Sequence, residues 1–435
     1  MRIFMALLYV LFTLNLQSTP VFEAPKRKFT LSSAYAERFF NSNEGLVAFP
    51  ISIIEAYGAL FDVATPSFTE HWWSRLITSL VELPISYWLS NALFVPFHEF
   101  GHARADSAFG LDYHYGSFGY NTNFGTFSNY WSLSAIRLIT PPFFFPGDGK
   151  AYASAQGSPS IPQVLENYWG AQGASIIISA SGLNNQSLLA KKLAQGVYTG
   201  HGHITQFTHY VGNKISPWAY SILDKKNSHL TSGGTSDIGS ILAGYKSKNY
   251  TITHGDIELQ SWLSMLSSTS ISYLKGYVDY WLSGNTRVYA LELWGIRMPD
   301  INSYITSQGL SLELVSGYRL NKYLFFDLAY EFIWKGTSAH QVTPSAHINL
   351  AWIFPVLHEL WLESDLVLSK NVGGKLALSY IPFEPKNTDF WQRFSYFIDL
   401  NIYNGFNLYG ERNITSLSRG KTSSLDIFGG VNFNY

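Results

Sequence analysis

The amino-acid sequence predicts an α+β protein: a mainly helical module over residues 37–285, then an antiparallel transmembrane β-barrel of about 8–10 strands over residues 286–435. Three observations carry this expectation. Charged residues make up 14% of the chain, against roughly 25% in an average soluble domain. Aromatic residues make up 17%, with 28 Tyr, 31 Phe and 13 Trp, the mix expected where amphipathic strands carry aromatic girdles. Hydrophobic periodicity also changes near residue 287, from runs of helical length to strict alternation.

Composition excludes several classes. The net charge of −1 offers no footprint for nucleic acid or another polyanion. Cysteine is absent, so disulfides and thiolate metal sites are impossible. Mean hydropathy is +0.02, too low for a bundle of apolar membrane helices.

At the N-terminus, Arg2 is followed by an apolar run from about Ile3 to Leu16, the form of a secretory signal peptide over residues 1–24. Two places fit its cleavage: Ala34-Tyr35-Ala36 by form and Ala24 by position. Between residues 37 and 285, apolar stretches sit near 45–62, 76–97, 132–145 and 167–183. Glu55, Asp62, Glu82, Pro84, Arg137 and Pro141 interrupt them, whereas a membrane span needs about 20 predominantly apolar residues. They read as helices packed on each other or plugging a barrel. The segment from Gly147 to Pro162 reads as an exposed loop, and residues 256–283 as a helix pair ended by Gly284-Asn285.

From residue 287 the period is two. Leu324, Phe326, Leu328, Tyr330, Phe332 and Trp334 share one face, with Asp327 and Glu331 opposite. Leu310, Leu312, Leu314 and Tyr318 repeat the pattern before a tight turn near Leu320-Asn321-Lys322-Tyr323. About nine such runs are visible, against the even number of a bacterial barrel, and the stretch from Tyr113 to Tyr130 is a source for another. The last run, LDIFGGVNFNY, alternates and ends in an aromatic residue. It resembles the C-terminal signal of outer-membrane β-barrels, which implies the outer membrane of a Gram-negative bacterium and contact with membrane lipid.

Residues 98–102 read His-Glu-Phe-Gly-His, one copy of H-E-x-x-H. On a helix, His98 and His102 fall one turn apart on one face, so both imidazoles reach one metal ion. Glu99 is the next residue round, placed to deprotonate a water whose pKa zinc lowers to roughly 7. Pro96 suits the first turn of this helix and Gly110 its stop. An apolar lead-in predicts burial, and a buried Glu with two His needs a partner such as Zn2+.

The stretch FHEFGHARA resembles the signature of zincin metallopeptidases, especially the membrane-linked gluzincins and site-2 proteases, over about a dozen residues. The resemblance implies zinc ligands at His98 and His102 and a general base at Glu99. The Asn-Pro and Leu-Asp-Gly elements of site-2 proteases are missing, and Ala105 and Ala108 break the metzincin extension. Gluzincins take a third ligand, a Glu, from a later helix, which points to Glu166 as the third ligand here. Asp106 continues the ligand face and reads as a group orienting His102. Asn184 and Asn185 read as caps or substrate contacts at the end of the following apolar helix. His201, His203 and His209 read as a loop cluster, and His254, Asp256 and Glu258 as the polar start of a helix.

These residues give a first expectation of a membrane-associated zinc metallopeptidase acting on a protein or peptide. Two alternatives stay open: a non-catalytic barrel with a helical plug, and a zinc hydrolase acting on lipid or an envelope glycoconjugate.

Overall fold

The computed structural model describes residues 28–32, 43–65, 71–109, 112–117, 120–122, 151–156, 163–227, 236–321, 323–350, 359–369, 373–381, 394–404 and 423–434. The expected signal peptide over 1–24 lies outside them.

Among the described residues the strands are, in chain order, β1 (Lys28–Ser32), β2 (Asp112–Ser117), β3 (Tyr120–Thr122), β4 (Ala151–Gln156), β5 (Gly202–His203), β6 (Arg287–Val288), β7 (Glu292–Leu293), β8 (Ile296–Thr306), β9 (Gly309–Asn321), β10 (Leu324–Gly336), β11 (His340–Asn349), β12 (Glu359–Val367), β13 (Gly373–Ile381), β14 (Phe394–Asn404) and β15 (Ser423–Asn434). The helices are α1 (Asn43–Ala64), α2 (Trp72–Ala108), α3 (Gln163–Thr199), α4 (Phe207–Asn227), α5 (Asp237–Ser247), α6 (His254–Met265) and α7 (Ser268–Ser283).

The two halves follow the change of period, but the expected closed barrel is not what forms. The strands build one open, antiparallel ten-stranded sheet in the order β1-β15-β14-β13-β12-β11-β10-β9-β8-β7. Among the described residues, β1 and β7 do not pair. The physical reason is at β8. Beyond its two-residue pairing with β7, its free edge bonds to helix side chains instead of a strand. Asn184 of α3 donates to the Ile305 carbonyl at 2.8 Å and accepts from the Ile305 N–H at 2.9 Å, as a neighbouring strand would. Ser267 accepts from the Ile301 N–H at 2.8 Å, and Ser268 donates to the Met298 carbonyl at 2.7 Å. At the other edge, α1 lies against β1.

The stretch near Tyr113 does supply strands, but β2 and β3 join β4 in a separate three-stranded sheet. β4 therefore replaces part of the loop expected between Gly147 and Pro162. The helix pair before the sheet is α6 and α7. Thr253 and Asp256 form a capping box at the start of α6, and Gly284 closes α7 in the left-handed region, at φ 79°.

α2 begins at Trp72, far upstream of the start expected at Pro96, and carries Pro84 and Pro96 in its interior. An interior proline costs about 3 kcal/mol. Burial of Leu89, Leu93, Phe94, Phe97 and Phe100 against α1, α3, α4 and α7 offsets it. No helix among the described residues is long and apolar enough to cross a membrane. A second core joins Ile176, Ala180 and Leu183 of α3 to Ile241 and Tyr245 of α5 and to Ile305 and Leu310 at the β8–β9 turn. This core fixes α5 against α3, and the site described next depends on that contact.

Candidate metal centre

His98 and His102 lie in the last third of α2 and are both buried. The helix brings their Nε2 atoms to 3.1 Å of each other. Asp237, the first residue of α5, completes the group. Its Oδ2 is 2.9 Å from His98 Nε2 and 3.2 Å from His102 Nε2. Three ligand atoms therefore form a nearly equilateral triangle. Bonds of about 2.0–2.1 Å in a tetrahedron place ligand atoms roughly 3.3 Å apart, so the triangle fits one face of such a shell. This His-His-Asp group can hold a metal ion, and no fourth His, Cys, Asp or Glu joins it among the described residues.

Asp237 is positioned by helix-start chemistry. Ser236 caps α5 by accepting from the Gly239 N–H, and an acid in the first turn is favoured by the helix dipole. The Asp237 side chain is 29% exposed, so solvent reaches the group from the α5 side.

The far nitrogens of both rings are engaged. His102 Nδ1 donates to the Ile178 carbonyl at 2.8 Å, which leaves Nε2 as the ligand atom. His98 Nδ1 is 3.3 Å from Gln186 Oε1, itself bonded by Ser216, and Tyr220 stacks on the His98 ring at 4.7 Å. α3 approaches closely because Gly182 faces the two imidazoles. A Cβ there would lie 2.6 Å from both Nε2 atoms. Gly101 likewise lets Ser181 and Asn185 of α3 pack on α2.

The electrostatics are those of a charge cluster shielded from water. Burial disfavours charge on His102, but the Asp237 carboxylate outweighs it, with a smaller push from Glu99, and raises the pKa to about 10. Burial also works against ionisation of Asp237, yet His102 and His98 hold its carboxyl well below the usual range. Imidazole lone pairs beside a carboxylate need a cation between them, a metal ion or the proton that Asp237 favours on His102. Glu99 is partly exposed beside the ligands.

The expected ligands meet, with one replacement. Glu166 is exposed in the first turn of α3, far along that helix from Gly182, and Asp237 stands in its stead. Asp106 is buried, and burial pushes its carboxyl up to about 6, countered in part by His102. The group orienting His102 is the Ile178 carbonyl, not Asp106. Asn184 and Asn185 sit in the middle of α3, where Asn184 holds the sheet edge. Of the histidine cluster, His201 lies in a loop as expected, but His203 in β5 bonds Asp62 at 3.2 Å and Thr205 at 2.8 Å, and His209 lies in α4 against Ser90 at 2.8 Å. Asp237 escaped sequence reasoning because it lies 139 residues beyond His98. Its only local signal is the Ser-Asp helix start after a Gly/Ser/Thr run. No family model, curated protein or solved structure matches this chain.

Proposed function

We propose that the chain is a zinc-dependent hydrolase that cleaves peptide bonds at the His98–His102–Asp237 centre, with Glu99 as general base. The observation that carries this reading is the ligand triangle itself, with edges of 2.9, 3.1 and 3.2 Å and a carboxylate next to it in sequence that is not one of its corners. Nitrogen and oxygen donors from three residues suit catalytic zinc, which would polarise a carbonyl and lower the pKa of a bound water to about 7. Glu99 takes the proton of the attacking water and delivers it to the leaving amine. A C–O bond forms, the C–N bond breaks, and the products are a carboxylate and a free amine. The apolar run after Arg2, with the form of a signal peptide, supports a substrate among proteins of the cell envelope.

Metal analysis and peptidase assays on the full chain test this. The wild-type protein should carry one zinc per chain, and His98→Ala should lose it. Glu99→Gln should keep the zinc and lose turnover by about 10²–10⁴-fold. Iron or no metal in the wild type, or full activity in Glu99→Gln, overturns the proposal.

A further inference from the structure

The two faces of the sheet from β8 to β13 have inverted chemistry. One face buries charged residues among Val315, Phe325, Ala329 and Ile333, and at β8 and β9 these charges pair with the helices. Glu313 pairs with Lys191 of α3 at 2.9 Å, Asp300 with Lys214 of α4 at 3.2 Å, and Glu331 accepts from Ser311 at 2.6 Å. Arg297 is buried on the same side.

The opposite face is apolar. Near the β8–β9 turn, α3, α5 and α6 cover it through Ile305 and Leu310. Away from that turn it is bare, with Tyr318, Phe326, Leu328, Leu366, Leu368 and Leu376 exposed. The register aligns these into rows: Tyr318, Phe326, Ala346, Ser364 and Leu376 follow one another across five strands, and Leu328 stands opposite Pro344. Among the described positions of β8 to β13, the one charged residue that the register puts on this face is Lys335, which stands opposite Leu310 near the covered turn and pairs with Asp256 of α6 at 3.4 Å.

A sheet with one face in water puts its apolar side inward and its charges outward. Here both preferences are reversed together. We propose that the bare face contacts the hydrocarbon of a lipid bilayer. A second copy of the chain would also cover apolar surface. Protein interfaces, however, carry a polar rim and about one hydrogen bond per 100–200 Å², whereas two polar groups of this face are already bonded, Tyr330 with His340 and Lys335 with Asp256. Its borders suit lipid instead. Trp294, in the β7–β8 turn, is 88% exposed, and Tyr318 and Tyr330 are exposed beside it and further along the sheet, as expected of amphipathic rings at headgroup level. From Leu324 to Tyr330, at about 3.3 Å per residue, the bare stretch of β10 runs roughly 20 Å, deeper than one leaflet's ~15 Å of hydrocarbon. The β8 edge, which lipid would penalise, has its backbone groups bonded by Asn184 and Ser267.

The chain contains no cysteine, so single substitutions give unique labelling sites. Leu328→Cys and Leu366→Cys would carry a fluorophore on the bare face, and Ser247→Cys would carry it on the exposed end of α5. The full chain is reconstituted in phosphatidylethanolamine and phosphatidylglycerol vesicles with brominated acyl chains, and circular dichroism confirms that each variant is folded. Loss of fluorescence at 328 and 366 but not at 247 is the expected result. Absence of quenching at both sites overturns the proposal. So does a detergent-free dimer that shields both labels, which would assign the face to a second copy.

Discussion

Gly182 sets how near α3 comes to the ligands. Replacing it with Ala puts a methyl group 2.6 Å from both Nε2 atoms. Gly182→Ala should therefore abolish or sharply weaken metal binding while the far-UV circular dichroism stays that of the parent, because alanine itself favours a helix by about 1 kcal/mol over glycine. Isothermal titration with zinc measures this, and unchanged affinity would count against the assigned position. His209 offers a different residue-scale test. It is buried, its Nε2 has no partner among the described residues, and burial alone brings its pKa down to about 3. Below pH ~6.5 the unfolded chain binds a proton that the folded chain refuses until about pH 3, so this group lowers stability as pH falls. The slope is about 1.4 kcal/mol per pH unit. His209→Gln should flatten the urea midpoint against pH between about 6 and 4, relative to the parent. The ligand pair was legible in the sequence because a spacing of four residues fixes two side chains on one helix face. The third ligand was not, because nothing local says which of many distant acids a fold returns to that face. Glu166 had the expected helix and Asp237 had the geometry.

At the scale of elements, alternation revealed both the strands and their two faces. Leu324 to Trp334 forms β10 with Asp327 and Glu331 on the side opposite Phe326 and Leu328, as the period requires. Closure was not legible, since a strand's periodicity is silent on what bonds its edge. A helical asparagine can satisfy a strand backbone as well as another strand does. Asn184→Ala should leave the Ile305 N–H and carbonyl unbonded and cost about 1–3 kcal/mol in chemical denaturation. Asn184→Asp restores only an acceptor, so it should recover the N–H bond and not the carbonyl's. A variant as stable as the parent would mean that water replaces the side chain at no cost. The long α2 shows the converse: propensity placed a start at Pro96, and tertiary packing of Leu89, Leu93 and Phe97 overrode it.

Over the whole molecule, ionic contacts fasten the helices to the sheet. Lys214 of α4 donates to Asp300 at 3.2 Å, to Asn302 at 2.9 Å and to the Ile301 carbonyl, all in a buried setting. Removing one member strands a buried charge. Lys214→Ala should cost about 3–5 kcal/mol, and Lys214→Met with Asp300→Leu should recover much of it. Thermal melts of the two variants check this; equal losses would show that packing, not charge, holds the two halves together.

The strand that opens the described sequence ends up beside the one that closes it: Lys28 stands opposite Asn434 and Ser32 opposite Gly430. During synthesis, which runs from the N-terminus onward, β1 cannot pair until β15 has been made. The last pairing to become possible is thus a long-range one, which slows folding.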